Sequence, residues 1–204
     1  MITVYGKKYI LQESGAMLKK TGWVQYQGNR YYMYSDGHVF HGGWLKVSNK
    51  WYYMDTETGM MKKGWLKTSG KYYYLNSSGV MQTGWVKVGS RTCYFKKSTG
   101  VRRSGWFKYR GKYYYLNPKT GAKMKKRWVV YNGNYYYLDR KGVRLTGTKA
   151  VIDGKKYRFD ANGICKKKTR AEAARQKAEQ VTPETGNVTS TTEQVTPETK
   201  ALSE

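Results

Sequence analysis

The chain has 204 residues, among them 23 Gly, 21 Tyr and 7 Trp but only 4 Phe, so rings and frequent turns stand where an ordinary domain carries a Leu/Ile/Val interior. Its formal charge of +26 is uneven: residues 1–168 hold 35 Lys and Arg against 7 acids, whereas residues 169–204 hold 4 against 6. A body so basic attracts polyanions without choosing between nucleic acid, anionic lipid and phosphate-bearing wall polymer, and the lack of any apolar run near the roughly 18 residues of a membrane span argues against membrane insertion.

The opening residues, MITVYGKKYI, lack the basic start and apolar middle of a signal peptide. The expectation is therefore a piece of a longer chain, or export by another route. Repetition begins next. Trp23, Trp44, Trp65, Trp85, Trp106 and Trp128 follow one another at intervals of 21, 21, 20, 21 and 22 residues, the first five each after a Gly and the sixth after Arg127. A comb of glycines, Gly15, Gly37, Gly59, Gly79, Gly100, Gly121, Gly142 and Gly163, marks eight units. The last unit has Lys149 in place of the Trp, as terminal repeats are often atypical.

Each unit has the same grammar. In the Trp65 unit WLKT is followed by Ser69-Gly70 and then YYYL, and Gln27-Gly28, Arg110-Gly111 and Asn132-Gly133 stand at the same place in other units. Two short alternating runs around a pair that accepts positive φ predict a β-hairpin. Asp55, Asn76, Asn117, Asp139 and Asp160 then precede the comb glycines, which predicts a turn closed by the Asx side chain with Gly in the left-handed region. A segment such as VMQT leads to the next GW, its Met or Val expected to point inward. A lone hairpin is marginal in water, but stacked hairpins that touch their neighbours make a solenoid. The expected fold is all-β: a solenoid of β-hairpin repeats of about 21 residues over 1–168, with rings as its core. Cys93 and Cys165, 72 residues apart, would lie several repeats from each other and read neither as a disulfide framework nor as a metal pair.

The tail differs. Thr169–Gln180 is rich in Ala, Glu, Lys and Arg and helix-prone, and EQVTPET then occurs twice in a Thr/Glu-rich stretch that reads as disordered linker over the rest of 169–204.

Catalysis finds little support. Asp36, Asp55, Asp139 and Asp160 fall in the recurrent turn, where backbone capping accounts for them, and no nucleophile-and-base set stands out. His38 and His41 form an HxxH without a further ligand type nearby. The chain reads as no enzyme, with no metal and no cofactor. Basic charge with rings also describes single-strand binders, yet RNP motifs, basic helices and zinc-finger spacings are missing, so nucleic acid is not the expected partner.

The order GW, polar hairpin, WYYL or YYYL, Asx, Gly, Met and GW again resembles the choline-binding repeats of bacterial cell-wall-binding proteins, related to the glucan-binding repeats of glucosyltransferases and the repeats of clostridial toxins. The likeness covers about residues 1–165. It implies a secreted, wall-associated module on a Gram-positive surface, an anchor for a partner such as a wall hydrolase or glucosyltransferase. The terminal repeats are a candidate homodimer surface. It also implies cages of three rings: the GW Trp, the residue seven on, and one ring from the adjoining repeat. Ring faces suit a quaternary ammonium, which donates no hydrogen bond. The matching ligand-binding pairs are Trp44 with Trp51, Trp65 with Tyr72, Trp106 with Tyr113 and Trp128 with Tyr135; Trp23 meets Arg30 and Trp85 meets Thr92 at the second place, which departs from the pattern. A choline-bearing teichoic acid would also offer phosphates to Lys62, Lys63, Lys125 and Lys126. An α-glucan is the alternative ligand, because ring faces stack on sugars too.

Overall fold

The structure, a computed structural model, describes residues 1–165; the expected helix-prone segment and linker of 169–204 lie outside the described residues. Eight antiparallel hairpins run in chain order, each a separate two-stranded sheet. They are β1 (Ile2–Val4) with β2 (Lys7–Tyr9), β3 (Gly22–Tyr26) with β4 (Asn29–Met33), β5 (Gly43–Val47) with β6 (Lys50–Met54), and β7 (Gly64–Thr68) with β8 (Lys71–Leu75). The series continues with β9 (Gly84–Val88) and β10 (Arg91–Phe95), β11 (Gly105–Tyr109) and β12 (Lys112–Leu116), β13 (Arg127–Tyr131) and β14 (Asn134–Leu138), and β15 (Lys149–Ile152) and β16 (Lys155–Arg158). No helix among the described residues is long and apolar enough to cross a membrane.

Two-residue turns of the expected kind close the hairpins. In seven of them both central residues take positive φ, as at Ser69 (47°) and Gly70 (69°), and even at Ser48 (46°) and Asn49 (60°) where no Gly is present, while in the Gly89-Ser90 turn only Gly89 (58°) does. Such turns match the right-handed twist of the strands they join.

Strand alternation gives each hairpin two unlike faces. In β5–β6, Trp44 lies opposite Tyr53 and Lys46 opposite Trp51, while Leu45 lies opposite Tyr52 and Gly43 opposite Met54. One face is thus ringed and basic, the other apolar. The most buried side chains come from the second face: Met33, Met54, Leu75, Phe95, Leu116, Leu138 and Phe159, the residues that end or follow the second strand, are all at most 2% exposed. The expectation that rings make the core holds in part: Tyr31, Tyr52, Tyr73, Tyr94, Phe107, Trp128 and Tyr157 are buried, at 2–9% exposure, but are not the deepest residues. An aliphatic or Phe side chain sits deepest in each unit, and Trp and Tyr surround it, because indole N–H and phenol O–H groups must reach a polar partner or water.

Connecting segments stitch the stack. The Oδ1 of Asn76 accepts from the amides of Ser78 (3.0 Å) and Val80 (2.9 Å), and Asp139 does the same for Lys141 and Val143 (2.8 Å each). Two residues beyond each comb glycine from Gly59 to Gly163, an amide reaches back about 30 residues: Met61 donates to the Arg30 carbonyl, Met81 to Trp51, Arg102 to Tyr72, Lys123 to Thr92, Arg144 to Tyr113 and Cys165 to Tyr135, all at 2.7–2.9 Å. Those carbonyls belong to the residue seven after the GW Trp. Cys93 and Cys165 are buried free thiols, and burial pushes the Cys93 thiol up.

Asp55 combines turn and charge. Its Oδ1 accepts from the Glu57 and Thr58 amides at 3.1 and 2.8 Å, and its Oδ2 lies 2.7 Å from Lys62 Nζ. Lys62, then the Thr58 amide, hold the carboxyl well below its ordinary value of 3.8. A depressed carboxyl contributes stability that is complete above its unfolded value and is lost as pH falls through the folded one. Asp55→Asn keeps the turn, as Asn76 and Asn117 do, and removes the ion pair, at a cost under about 1 kcal/mol at neutral pH because solvent screens the half-exposed Lys62. In acid titrations below about pH 4 this variant loses less stability than the wild type; matching losses would contradict the assignment. Backbone crowding gives a second expectation. Gly142 and Gly133 both have positive φ (82° and 73°), but a Cβ on Gly142 would lie 2.8 Å from the Met124 carbonyl oxygen whereas one on Gly133 would meet nothing within 4 Å. Gly133→Ala should cost about 1–2 kcal/mol in chemical denaturation from φ alone, and Gly142→Ala clearly more; equal losses would mean that the comb glycines serve only the turn.

Candidate functional site

Where two hairpins meet, the ringed face of one lies against the apolar face of the next. Trp44 touches Tyr73 at 4.8 Å between centroids, and the equivalent pairs are Trp23–Tyr52 (4.7 Å), Trp85–Tyr114 (5.2 Å), Trp106–Tyr136 (5.1 Å) and Trp128–Tyr157 (4.8 Å), all inclined by 64–68°. Within its own hairpin each Trp meets the Tyr opposite it edge to face, as Trp44 meets Tyr53 at 5.2 Å. The Trp is thereby held from two sides. The residue seven on, across the sheet and two places from that Tyr, is exposed at Trp51 and Tyr72 and half-buried at Arg30, Thr92, Tyr113 and Tyr135.

The four expected pairs differ in what they make of this frame. Trp44 and Trp51 stand at 90° with centroids 6.5 Å apart, and with Tyr73 they form a three-ring corner; Trp51 is 40% exposed. Met81, whose amide holds the Trp51 carbonyl, supplies an apolar residue at the position beside it. Lys46, opposite Trp51 in the hairpin, brings its Nζ to 5.9 Å from that ring. Trp65 is 44% exposed and lacks the usual third ring, because Cys93 occupies the Tyr position of the following hairpin; it meets Tyr74 at 5.4 Å and Phe95 at 5.8 Å. Tyr72 carries the Arg102 guanidinium at 4.4 Å. Around Trp106 and Tyr113 the Arg144 guanidinium lies 5.6 Å from the Trp106 centroid, 4.0 Å from Tyr113 and 5.7 Å from Tyr136. Trp128 is only 3% exposed, packed on Tyr137, Tyr157 and Phe159, and Tyr135 packs against the same buried cluster.

The two departing units also carry cations. Arg30 stacks over Trp23 at 4.3 Å. In the Trp85 seam, with Thr92 at the second place, Lys123 lies 5.0 Å from Trp85 and 6.0 Å from Tyr114. Burial, then the nearby Lys125 charge, holds the Lys123 ammonium below its ordinary range.

Sequence reasoning left the ring from the adjoining repeat unnamed; it is the residue after the plus-seven position, Tyr73 for Trp44 and Tyr136 for Trp106. A recurrent offset of 29 or 30 residues from the GW Trp was the available signal. Of the lysines expected to meet phosphate, Lys62 is committed to Asp55, while Lys63, Lys125 and Lys126 are exposed. Among the described residues no group of three or more His, Cys, Asp or Glu gathers as a metal site.

Comparison with known proteins agrees with this geometry. Residues 41–83, 62–102 and 82–128 match the choline-binding repeat, and residues 21–38 and 126–143 match a cell wall binding repeat. Among solved structures, choline binding protein F from Streptococcus pneumoniae, crystallised with a tetrasaccharide-pentapeptide peptidoglycan analogue, is 31% identical with a TM-score of 0.69, over 80% of this chain and 56% of that one. CbpF in complex with ipratropium is 28% identical, with a TM-score of 0.66 over 80% and 58% of the two chains. The modular autolysin LytC from Streptococcus pneumoniae shares the fold at 24% identity and a TM-score of 0.61, over 79% of this chain and 37% of its own. This chain thus spans little more than half the length of the CbpF chains it matches. No curated protein sequence matches it. With these repeats running in register from residue 21 to residue 143 over hairpins of the same architecture, the chain belongs to the choline-binding, cell-wall-binding repeat family.

Proposed function

We propose that this chain is a non-catalytic module that fastens its bearer to a cell-surface polymer by holding choline-type head groups in the seams between hairpins. The observation that supports this reading is the corner at Trp44, which meets Trp51 at 90° and Tyr73 of the next hairpin at 65° while Trp51 stays 40% exposed. A trimethylammonium group has charge but no N–H, so ring quadrupoles are its natural partners, worth up to roughly 2 kcal/mol when desolvated. Choline binding protein F, 31% identical to this chain, is named for the same ligand.

The net charge of +26 does not oppose this. Charges beyond roughly 8 Å are screened at physiological salt, and a teichoic acid would bring phosphodiesters to the exposed Lys63, Lys125 and Lys126. A polymer that repeats its head groups adds weak sites through effective concentration, by about 10²–10⁴ over one site when spacing matches. Wall attachment outside the cell and the absence of a reaction follow from this reading.

A quaternary-ammonium resin tests it well, because a cationic protein is repelled by that matrix unless rings take up the ligand. Retention at moderate salt with elution by free choline is expected. Trp51→Leu, at an exposed position, should weaken choline binding about tenfold with the near-UV circular dichroism of the remaining seams preserved. Passage through the resin, together with retention on dextran that millimolar choline does not disturb, would favour the α-glucan ligand and refute the cage.

A further inference from the structure

The seams share one frame but not one occupant. Two residues after the comb glycine the chain carries Met61, Met81, Arg102, Lys123 and Arg144 in successive units, and each of these amides makes the same long-range bond to the plus-seven carbonyl. That bond fixes the backbone beside the seam, so the side chain is delivered to the cage by the same geometry in each unit. In the three basic units the delivered group reaches the rings: Arg102 over Tyr72 at 4.4 Å, Lys123 over Trp85 at 5.0 Å, and Arg144 at 4.0–5.7 Å from three ring centroids.

Building on the reading of the seams as ammonium cages, we infer that the chain occupies some of its own cages: Lys123 and Arg144 are resident cations, and the residue two after the comb glycine decides whether a seam is open to an external head group. Arg144 makes the strongest case. Its Nε and the Trp106 Nε1 are buried without a hydrogen-bond partner. A guanidinium normally finds acceptors for its donors, and leaving one unmet when buried is costly. Here the surroundings are ring faces, an environment suited to a cation that donates nothing. A tethered cation also competes at an effective concentration that a free ligand at millimolar levels does not match. Lys46, Lys67 and Lys108 each stand 5.6–5.9 Å from the plus-seven ring of their own hairpin, so they do not distinguish the seams. The residue two after the comb glycine does: among the four seams from Trp44 to Trp106, the one beside Met81 is therefore the open one, and the pairs Trp65–Tyr72 and Trp106–Tyr113 are closed to choline by Arg102 and Arg144.

Choline stoichiometry by equilibrium dialysis, on the full chain, reads this directly. Arg144→Met should add one site to the wild-type number and Met81→Arg should remove one, with ring packing followed by near-UV circular dichroism. A readout that needs no ligand accompanies it: the Arg144 Nε–H proton, shielded by the ring faces, should resonate upfield of an exposed Arg and exchange slowly with solvent. An unshifted, fast-exchanging Nε–H, or a folded Arg144→Met that gains no site while the wild type binds choline, would overturn the inference. A shifted Nε–H in a wild type that binds no choline would support the resident cation and sink the choline reading instead.

Discussion

A hairpin of about a dozen residues cannot bury enough surface to stand alone, and everything in this chain follows from the way its two faces are reconciled with the next hairpin. One face presents indole and phenol rings, the other an aliphatic or Phe side chain framed by Tyr. Joined, they give an inclined ring pair in five of the seams, of which Trp44–Tyr73 at 4.8 Å is typical. Such pairs contribute about 0.5–1.5 kcal/mol beyond area burial. Every seam from Arg30 to Tyr135 adds one backbone hydrogen bond to a residue about 30 positions earlier, worth about 1 kcal/mol net. Neither term is large. Repeated along the chain, they make stability a sum of neighbour contacts, as in other solenoids.

The same join leaves a notch. At Trp51 and Tyr72 the plus-seven ring stays exposed, so there the surface that holds the stack together also leaves ring area open to solvent. Position, not composition, separates a ring that packs from one that can bind: Trp128 at 3% exposure and Trp51 at 40% are both Trp of similar units. Charge acts at a different range. In the proposed reading the excess of Lys and Arg serves the polymer backbone, whereas a head group is excluded where the residue two after the comb glycine lays its own cation on the rings.

Much of this was legible in the sequence. The 20–22 residue spacing of Trp, the glycine comb and the paired positive-φ turns located every hairpin, because each is a local signal. The Asx turn was legible for the same reason, and the departures at Arg30 and Thr92 marked the two units whose rings now lie under Arg30 and Lys123. The deeply buried column was less so. Met54 and Leu75 stand beside three aromatic residues, and only the strand alternation, once registered, shows that Tyr52 and Tyr73 turn in with them while Trp51, Tyr53, Tyr72 and Tyr74 turn to the other face. Arg102, Lys123 and Arg144 read in sequence as three more basic residues among 39. Their place on the rings depends on a bond to a carbonyl 30 or 31 residues back, which no local pattern encodes. The Lys62–Asp55 ion pair was not legible for a similar reason: the two are close in sequence, but their contact depends on how the turn folds back.

The most direct measurement of the central claim is a nuclear Overhauser experiment between the N-methyl protons of choline and the aromatic protons of the intact chain. Contacts from the N-methyl group to Trp44, Trp51 and Tyr73 together, with none to Trp106 and Tyr113, are what the proposed cages predict. Saturable choline binding that shows no contact to that trio would place the ligand elsewhere and leave the seams as packing alone.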